Sequence, residues 1–556
     1  MRILLAQLNP TIGDLAGNTQ KVLSTLQLAR EQRVDMVCFP EMTLCGYAPD
    51  DMVLHDRFID EMENYLDKIV KESHGISCLV GLIRRNPMRD EKSLLNSAAV
   101  ISHGKLLGFH DKWLLPTYDV FNERRYFSRG KTVQVFNIKG VRIGVVICED
   151  MWQNAGEEIA GTTYPWDPVK ELVVYKPDIL FNLTASPFQS RKADVRIKVC
   201  KAAAHTLRCP VVYTCQVGAN GPIVFDGYSL FVDENGDLRQ MAKGFQEDFM
   251  VVDTEKKTNV IPFEHDQMYD VYAALRLGVR DYFCKSQQTK AIIGLSGGID
   301  SAVVACIAKD AIGAENIRGI YLPTRYSTKE SFEDAKALAS NLGIHFNRID
   351  IDKTFQHFID LLDPQLNLEK DREARNDVIE ENLQARIRGM ILMAFSNHHK
   401  ALLLSTGNKS ELALGYCTLY GDMCGAINVI GDLLKTETYQ LAYWLNREWE
   451  VIPRRILVKA SSAELRHHQK DSETLPPYEI IDNVIRGYVE DHASLEDIAK
   501  AYHLDVELVK HIVGRIYKAE HKRRQSAPSL RISKKSFSYG RQKPLHFSGA
   551  KSEKIY

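Results

Sequence analysis

Neither sign of charge is in excess in this 556-residue chain, where 71 lysines and arginines stand against 72 aspartates and glutamates. The balance removes any global pull toward nucleic acid or an anionic membrane, so partners must be recognised locally. Long apolar runs are missing too, and none approaches the roughly 20 residues needed to cross a bilayer. The opening stretch, Met1 to Gln7, reads as a strand and not as a basic leader with an apolar core and cleavage site. Eleven cysteines are present without a paired framework, and Cys417 with Cys424 lacks the short spacing of a zinc ribbon. Reduced thiols and a cytoplasmic protein with neither nucleic-acid nor membrane partners are expected.

What is present is ordinary globular composition, 45% hydrophobic and 26% charged. At roughly 150 residues per domain the length allows two to four domains, and two large ones fit. Up to about residue 253, apolar runs of strand length recur at 2–8, 34–39, 76–83, 95–101, 141–147, 179–183, 210–215 and 228–232, with helical periodicity between them. The segment 254–267 is polar and contains Pro262, and a helical pattern begins at Met268. The expected division is therefore an α/β domain over 1–253, a linker over 254–267 and a second domain over 268–556.

In the second half, strands at 290–294, 317–322, 344–350 and 401–405 alternate with helices at 301–312, 328–342 and 378–398. Such alternation argues for a parallel sheet covered by helices on both faces. Residues 363–377 are expected to be a loop, able to order over a ligand or to stay disordered. The basic stretch from Lys518 onward is expected to be an extended tail.

The strongest local signal is Gly294-Leu295-Ser296-Gly297-Gly298-Ile299-Asp300-Ser301, placed between the apolar Ala291-Ile292-Ile293 and a helix-forming run. A buried strand turning through paired glycines into a helix aims backbone N–H groups at an oxyanion. The same glycines also suit a plain strand-to-helix turn. The octet lacks the Lys-Ser/Thr of a Walker loop and the spacing of a dinucleotide fingerprint. It resembles the signature of the N-type ATP pyrophosphatases, the PP-loop family. That resemblance implies ATP cleavage to AMP and pyrophosphate, activating an oxygen as an adenylate.

In the first half, three apolar runs end in reactive side chains: Phe39-Pro40-Glu41, His110-Asp111-Lys112 and Ile147-Cys148-Glu149-Asp150. A cysteine nucleophile needs a base for its proton and a cation for the developing charge, and Glu and Lys supply these. Taken singly, each residue is as readily a buried small side chain or a solvated charge. Together with Trp113-Leu114-Leu115-Pro116 and Met151-Trp152, the blocks resemble the nitrilase (carbon–nitrogen hydrolase) superfamily, in its order. The resemblance implies an αββα sandwich in which Cys148 is the nucleophile, Glu41 the general base and Lys112 the electrostatic stabiliser. Glu123 would be the additional carboxylate that orients Lys112 and substrate.

An amidase joined to an adenylating domain is similar to the glutamine-dependent NAD⁺ synthetase family, over essentially the whole chain. That resemblance implies ATP-dependent amidation of deamido-NAD⁺, ammonia released from glutamine, and a protected passage for it between domains. Tyr118, Ser186 and Lys192 match positions that hold glutamine. Asn382, Glu411, Asp422, Lys435 and Lys522 match dinucleotide positions, and Thr406 matches an ATP position. Asp300 and Glu411 would hold Mg²⁺ against the phosphates, the basic tail would close over the anionic substrate, and a homo-oligomer is expected. GMP and asparagine synthetases also use a PP-loop but resemble different glutaminase domains. A regulatory module that senses glutamine or nucleotide without turnover is the alternative from another class, and the intact reactive blocks argue against it.

Overall fold

The computed structural model describes the chain except for residues 89–90, 257, 265, 367–377, 468 and 546–556. The chain divides into two compact units, Met1–Gln267 and Met268–Tyr556. All eleven cysteines are free. Among the described residues no helix is long and apolar enough to cross a membrane.

The first unit holds β1 (Arg2–Gln7), β2 (Met36–Cys38), β3 (Ser77–Arg85), β4 (Leu94–Ser102), β5 (Lys105–Asp111), β6 (Val135–Ile138) and β7 (Val141–Ile147). It continues through β8 (Ile179–Thr184), β9 (Val211–Cys215), β10 (Val217–Asn220), β11 (Ile223–Asp226), β12 (Leu230–Val232), β13 (Leu238–Met241) and β14 (Asp248–Asp253). Two six-stranded sheets form, ordered β14-β1-β2-β3-β4-β5 and β13-β12-β9-β8-β7-β6, while β10 and β11 make a separate hairpin. Ile3 and Leu5 from one sheet meet Val145, Phe181 and Leu183 from the other in a shared core. Each such side chain contributes on the order of 2 kcal/mol through burial. The helix Lys192–Leu207 covers the outer face of the second sheet through Val199, Ala203 and Leu207. Asp56–Glu72 packs on β3 through an apolar face of Ile59, Met62, Leu66 and Ile69. The unit is the expected αββα sandwich. Glu41, Lys112 and Cys148 follow the C-terminal ends of β2, β5 and β7.

The second unit is built on β15 (Ala291–Gly294), β16 (Ile317–Tyr321), β17 (His345–Arg348), β18 (Leu402–Ser405) and β19 (Ile427–Asn428). They form one sheet in the order β17-β16-β15-β18-β19, with every neighbouring pair parallel. The order reverses direction at β15, so the crevice for a ligand opens beyond its C-terminal end. A separate helical cluster, Tyr478–Ile485, Leu495–Tyr502 and Val506–Lys518, closes on Val484, Ile498, Val509 and Ile512.

Two expectations are corrected. Asp363–Leu366 are the last turn of the helix Asp352–Leu366, and the rest of the expected 363–377 loop lies outside the described residues. The stretch after Lys518 is also not an extended tail as far as residue 545. Glu520–Arg523 is helical, and Leu530, Ile532 and Phe537 are buried. Arg523 gives its guanidinium to the carbonyls of Leu412 and Ala413, while Asp432 accepts the backbone N–H groups of Ile532 and Ser533. Arg523 and Arg531 are themselves buried in this anchor.

Leu530 is fully buried and lies so close over Gly278 that a Cβ there would sit 2.7 Å from it. Leu530→Ala is therefore expected to destabilise the second unit by about 2–5 kcal/mol, measured by denaturant unfolding. A change near zero would restore the solvated tail.

Candidate active sites

In the first unit, one ammonium is shared between two carboxylates. Lys112 Nζ lies 2.8 Å from Glu41 Oε1 and 2.7 Å from Glu123 Oε1, with all three side chains buried. Burial works against the charge on Lys112, but Glu123 and Glu41 outweigh it and hold the ammonium protonated. Asn96 donates to Glu41 at 2.7 Å, the Ala185 N–H donates to its other oxygen at 3.1 Å, and the Tyr47 hydroxyl donates to Glu123 at 2.9 Å. Glu41 thus has both oxygens held, which aims it. Glu123 is raised by its burial, opposed by Lys112.

Cys148 begins the short 3₁₀ turn after β7 with φ at +46°, a conformation that costs a non-glycine residue about 1–3 kcal/mol. The turn is held from both sides. Asn182 accepts the Cys148 N–H at 2.7 Å, and the buried Asp150 accepts the N–H groups of Ile147, Trp113 and Leu114. Asp150 therefore ties the strand end that carries the nucleophile to the segment that follows Lys112. Burial pushes the Cys148 thiol well up, Glu41 adds to this, and Lys112 opposes it. These surroundings favour the thiol over the thiolate.

The expected glutamine positions gather beside this turn. Tyr118 donates to Glu149 Oε1 at 2.9 Å, and Lys192 Nζ lies 4.4 Å from the centroid of the Trp152 ring. Ser186 is buried, and its hydroxyl oxygen accepts from Arg196 at 3.2 Å. Sequence reading missed Tyr164, a second donor to Glu149 at 3.0 Å, and Asn96. The signal for Asn96 was available, because an asparagine inside the apolar run Leu94–Ile101 needs a buried polar partner.

In the second unit the octet turns out of β15 into the helix Ile299–Ile312. Gly297 has φ at +77°, and a Cβ there would lie 2.3 Å from the Ser331 carbonyl oxygen, so only glycine fits. Ser301 braces the loop, its hydroxyl donating to the Gly298 carbonyl at 3.0 Å and accepting the Ser296 N–H at 3.3 Å. Residues Gly294–Ser301, together with Thr406, Glu411, Asp422 and Lys435, line one cavity of about 300 Å³.

Here too a lysine sits between two carboxylates. Lys435 Nζ is 2.5 Å from Asp300 Oδ2 and 3.5 Å from Glu411 Oε1, and Asn408 donates to Asp300 at 3.0 Å while capping the helix that carries Glu411. Burial and Asp300 raise Glu411, with Lys435 opposing. Two carboxylates against one ammonium suit a hard divalent cation. No group of three or more His, Cys, Asp or Glu side chains could hold one by itself among the described residues. That fits Mg²⁺, which takes one or two carboxylates and completes its shell with phosphate and water.

The remaining expected dinucleotide residues converge on the segment 415–422. Asn382 accepts from the Thr418 hydroxyl at 2.7 Å, Asp422 accepts the Thr418 N–H at 2.7 Å, and Lys522 donates to the carbonyls of Gly415 and Cys417 at 2.8 and 2.7 Å. Asp422 lines the cavity, whereas Asn382 and Lys522 do not. Sequence reading missed Lys459 and Glu464, which line it together with Arg388.

Residues 2–157 match the carbon-nitrogen hydrolase family and residues 271–526 match the NAD synthase family. The glutamine-dependent NAD(+) synthetase of a Synechocystis strain is 40% identical over 98% of both chains. The solved structure of such an enzyme from Acinetobacter baumannii, in complex with ADP, is 34% identical with a TM-score of 0.76 over 98% of both chains. One from Cytophaga hutchinsonii shares the fold, with a TM-score of 0.83 at 22% identity over 99% of this chain and 98% of that one.

Burial lifts the Asp422 carboxyl from 3.8 to about 6. The folded state therefore holds this proton more tightly than the unfolded chain, and stability is lost as pH rises through that window. Asp422 keeps an exposed edge on the cavity, so solvent screens most of this effect, and Asp422→Asn is expected to stabilise the second unit by less than about 1 kcal/mol at pH 7.5 and by almost nothing at pH 3.5. Thermal unfolding at the two pH values checks this. Equal differences at both would remove burial of the charge as the cause.

Proposed function

The chain belongs to the glutamine-dependent NAD(+) synthetase family, and from this we propose how its two units divide the reaction. Residues 1–253 act as the glutaminase, 268–556 as the synthetase, and 254–267 as the linker. In the first, Cys148 Sγ attacks the carboxamide carbon of glutamine as Glu41 takes the thiol proton. Lys112 stabilises the tetrahedral oxyanion, and the C–N bond breaks as Glu41 returns a proton to the leaving nitrogen, releasing ammonia. Water activated by Glu41 then hydrolyses the thioester to give glutamate. Glu123 keeps Lys112 in place, and Tyr118, Ser186 and Lys192 hold the amino-acid end of the substrate.

In the second unit, the nicotinate carboxylate of deamido-NAD⁺ attacks the α-phosphorus of ATP, and pyrophosphate leaves into the cradle of Ser296, Gly297, Gly298 and Ser301. Ammonia attacks the carbonyl carbon of the adenylate, and AMP departs. Asn382, Asp422 and Lys522 serve the dinucleotide, directly or through the 415–422 segment, and Thr406 serves ATP. Asp300 and Glu411 would hold Mg²⁺, which when bound offsets phosphate charge. Positioning and charge compensation suffice here, because ammonia is itself the nucleophile.

The observation that carries this reading is that the glycine-bound cradle and the Asp300–Lys435–Glu411 cluster line a single cavity. Cys148→Ala is expected to abolish NAD⁺ formation from glutamine while leaving formation from ammonium salt. Glutamine-dependent turnover in this variant would sink the triad. Asp300→Asn is expected to slow synthesis at least tenfold with either nitrogen donor while glutamine hydrolysis survives. Wild-type rates with ammonium would remove Asp300 from the phosphate site.

A further inference from the structure

We propose that Arg388 is the receptor for an anionic oxygen of a bound nucleotide in the synthetase cavity, an inference that rests on the reaction assigned above to the second unit. Arg388 stands in the middle of the helix Val378–His399 and lines the same cavity as the phosphate loop. One turn before it, Gln384 is fully buried and structurally committed, accepting from the Thr324 hydroxyl at 2.9 Å and donating to the Leu465 carbonyl at 2.8 Å. Arg388 is committed through one atom only. Its Nε–H donates to the Leu322 carbonyl at 3.0 Å, just past the end of β16.

That single bond fixes the guanidinium plane and leaves the Nη hydrogens without a hydrogen-bond partner among the described residues. A guanidinium presents five donors in a planar fork that matches phosphate or carboxylate oxygens two at a time. Asp422 and Glu464 face it and favour its charge, yet it forms no ion pair among the described residues. The burial around it pulls the group down to about 10. The fully buried Arg196, by contrast, is met by Asp226 at 2.8 Å. A partly buried cation on a cavity wall, oriented by a backbone carbonyl and hydrogen-bonded to no protein carboxylate among the described residues, is arranged for an anion that arrives with substrate. Both ATP, through its phosphates, and deamido-NAD⁺, through its phosphates or nicotinate carboxylate, carry that chemistry.

The test uses the full chain with ammonium salt as nitrogen donor, so that the glutaminase unit takes no part. ATP affinity is measured by calorimetry without dinucleotide, and KM is measured for each nucleotide, in wild type, Arg388→Ala and Arg388→Lys. The expected result is a loss of at least tenfold in affinity or KM for one nucleotide in Arg388→Ala, partly restored by millimolar guanidinium. Weakened ATP binding alone identifies the ATP phosphates, and a raised KM for deamido-NAD⁺ alone identifies the dinucleotide. Affinities and kcat within twofold of wild type overturn the proposal, as does a loss that guanidinium leaves untouched. Should Arg388→Ala not fold, Arg388→Gln carries the same comparison. A wild-type protein that binds ATP but makes no AMP with deamido-NAD⁺ would overturn the assigned reaction and leave the ATP arm to judge Arg388.

Discussion

One lysine held between two carboxylates is the arrangement on which each unit depends. Lys112 bridges Glu41 and Glu123 at nearly equal distances, and Lys435 bridges Asp300 and Glu411 unequally. Each cluster sets two carboxylates against one ammonium. Around Lys112 both carboxylates are buried, and deleting that lysine would cost about 3–5 kcal/mol, whereas Asp300 and Glu411 are partly exposed and would lose less without Lys435. The difference between the clusters follows from their surroundings. Glu41 is fixed on both oxygens by Asn96, Lys112 and Ala185, which suits a base that must meet one proton repeatedly. The Asp300–Lys435–Glu411 cluster opens on a cavity, where the deficit can be met by a cation brought with phosphate.

Around these clusters the supporting contacts come from parts of the chain that carry no chemistry. Asp150 ties the nucleophile turn to the Trp113–Leu114 backbone, and Asn182 holds the left-handed Cys148. In the second unit the fully buried Lys409 meets Asp432 at 3.0 Å and Glu490 at 2.5 Å, one residue from the Asn408 that holds Asp300. Lys409 also donates to the Ser533 hydroxyl at 2.7 Å and to the Lys535 carbonyl at 2.9 Å. The C-terminal stretch is thus part of the frame behind the Asp300–Lys435–Glu411 cluster.

The sandwich and the parallel sheet were legible because buried strands show as apolar runs ending in turn or reactive residues, as at Val141–Ile147 and Ala291–Gly294. The clustering of Glu41 with Lys112, and the glycine octet's place on a cavity wall, followed from the same pattern, since these residues stand just past strand ends. What composition hid was the anchoring of the C-terminal stretch. Its lysines and arginines dominate the count, yet Leu530, Ile532 and Phe537 decide its place. Asn96 was hidden for a different reason. It is a polar residue inside a strand, and only the three-dimensional neighbours show the carboxylate it meets.

The account stands on Lys112 being committed to its two carboxylates, leaving Cys148 a thiol until substrate arrives. The most direct measurement is the rate of Cys148 alkylation by chloroacetamide as a function of pH, in wild type and in Glu41→Gln. With Lys112 so engaged, the wild-type rate should keep climbing through pH 9, and removing the Glu41 charge should move the curve to lower pH. A wild-type rate already level by pH 7 would mean a preformed thiolate and contradict the shared-lysine arrangement.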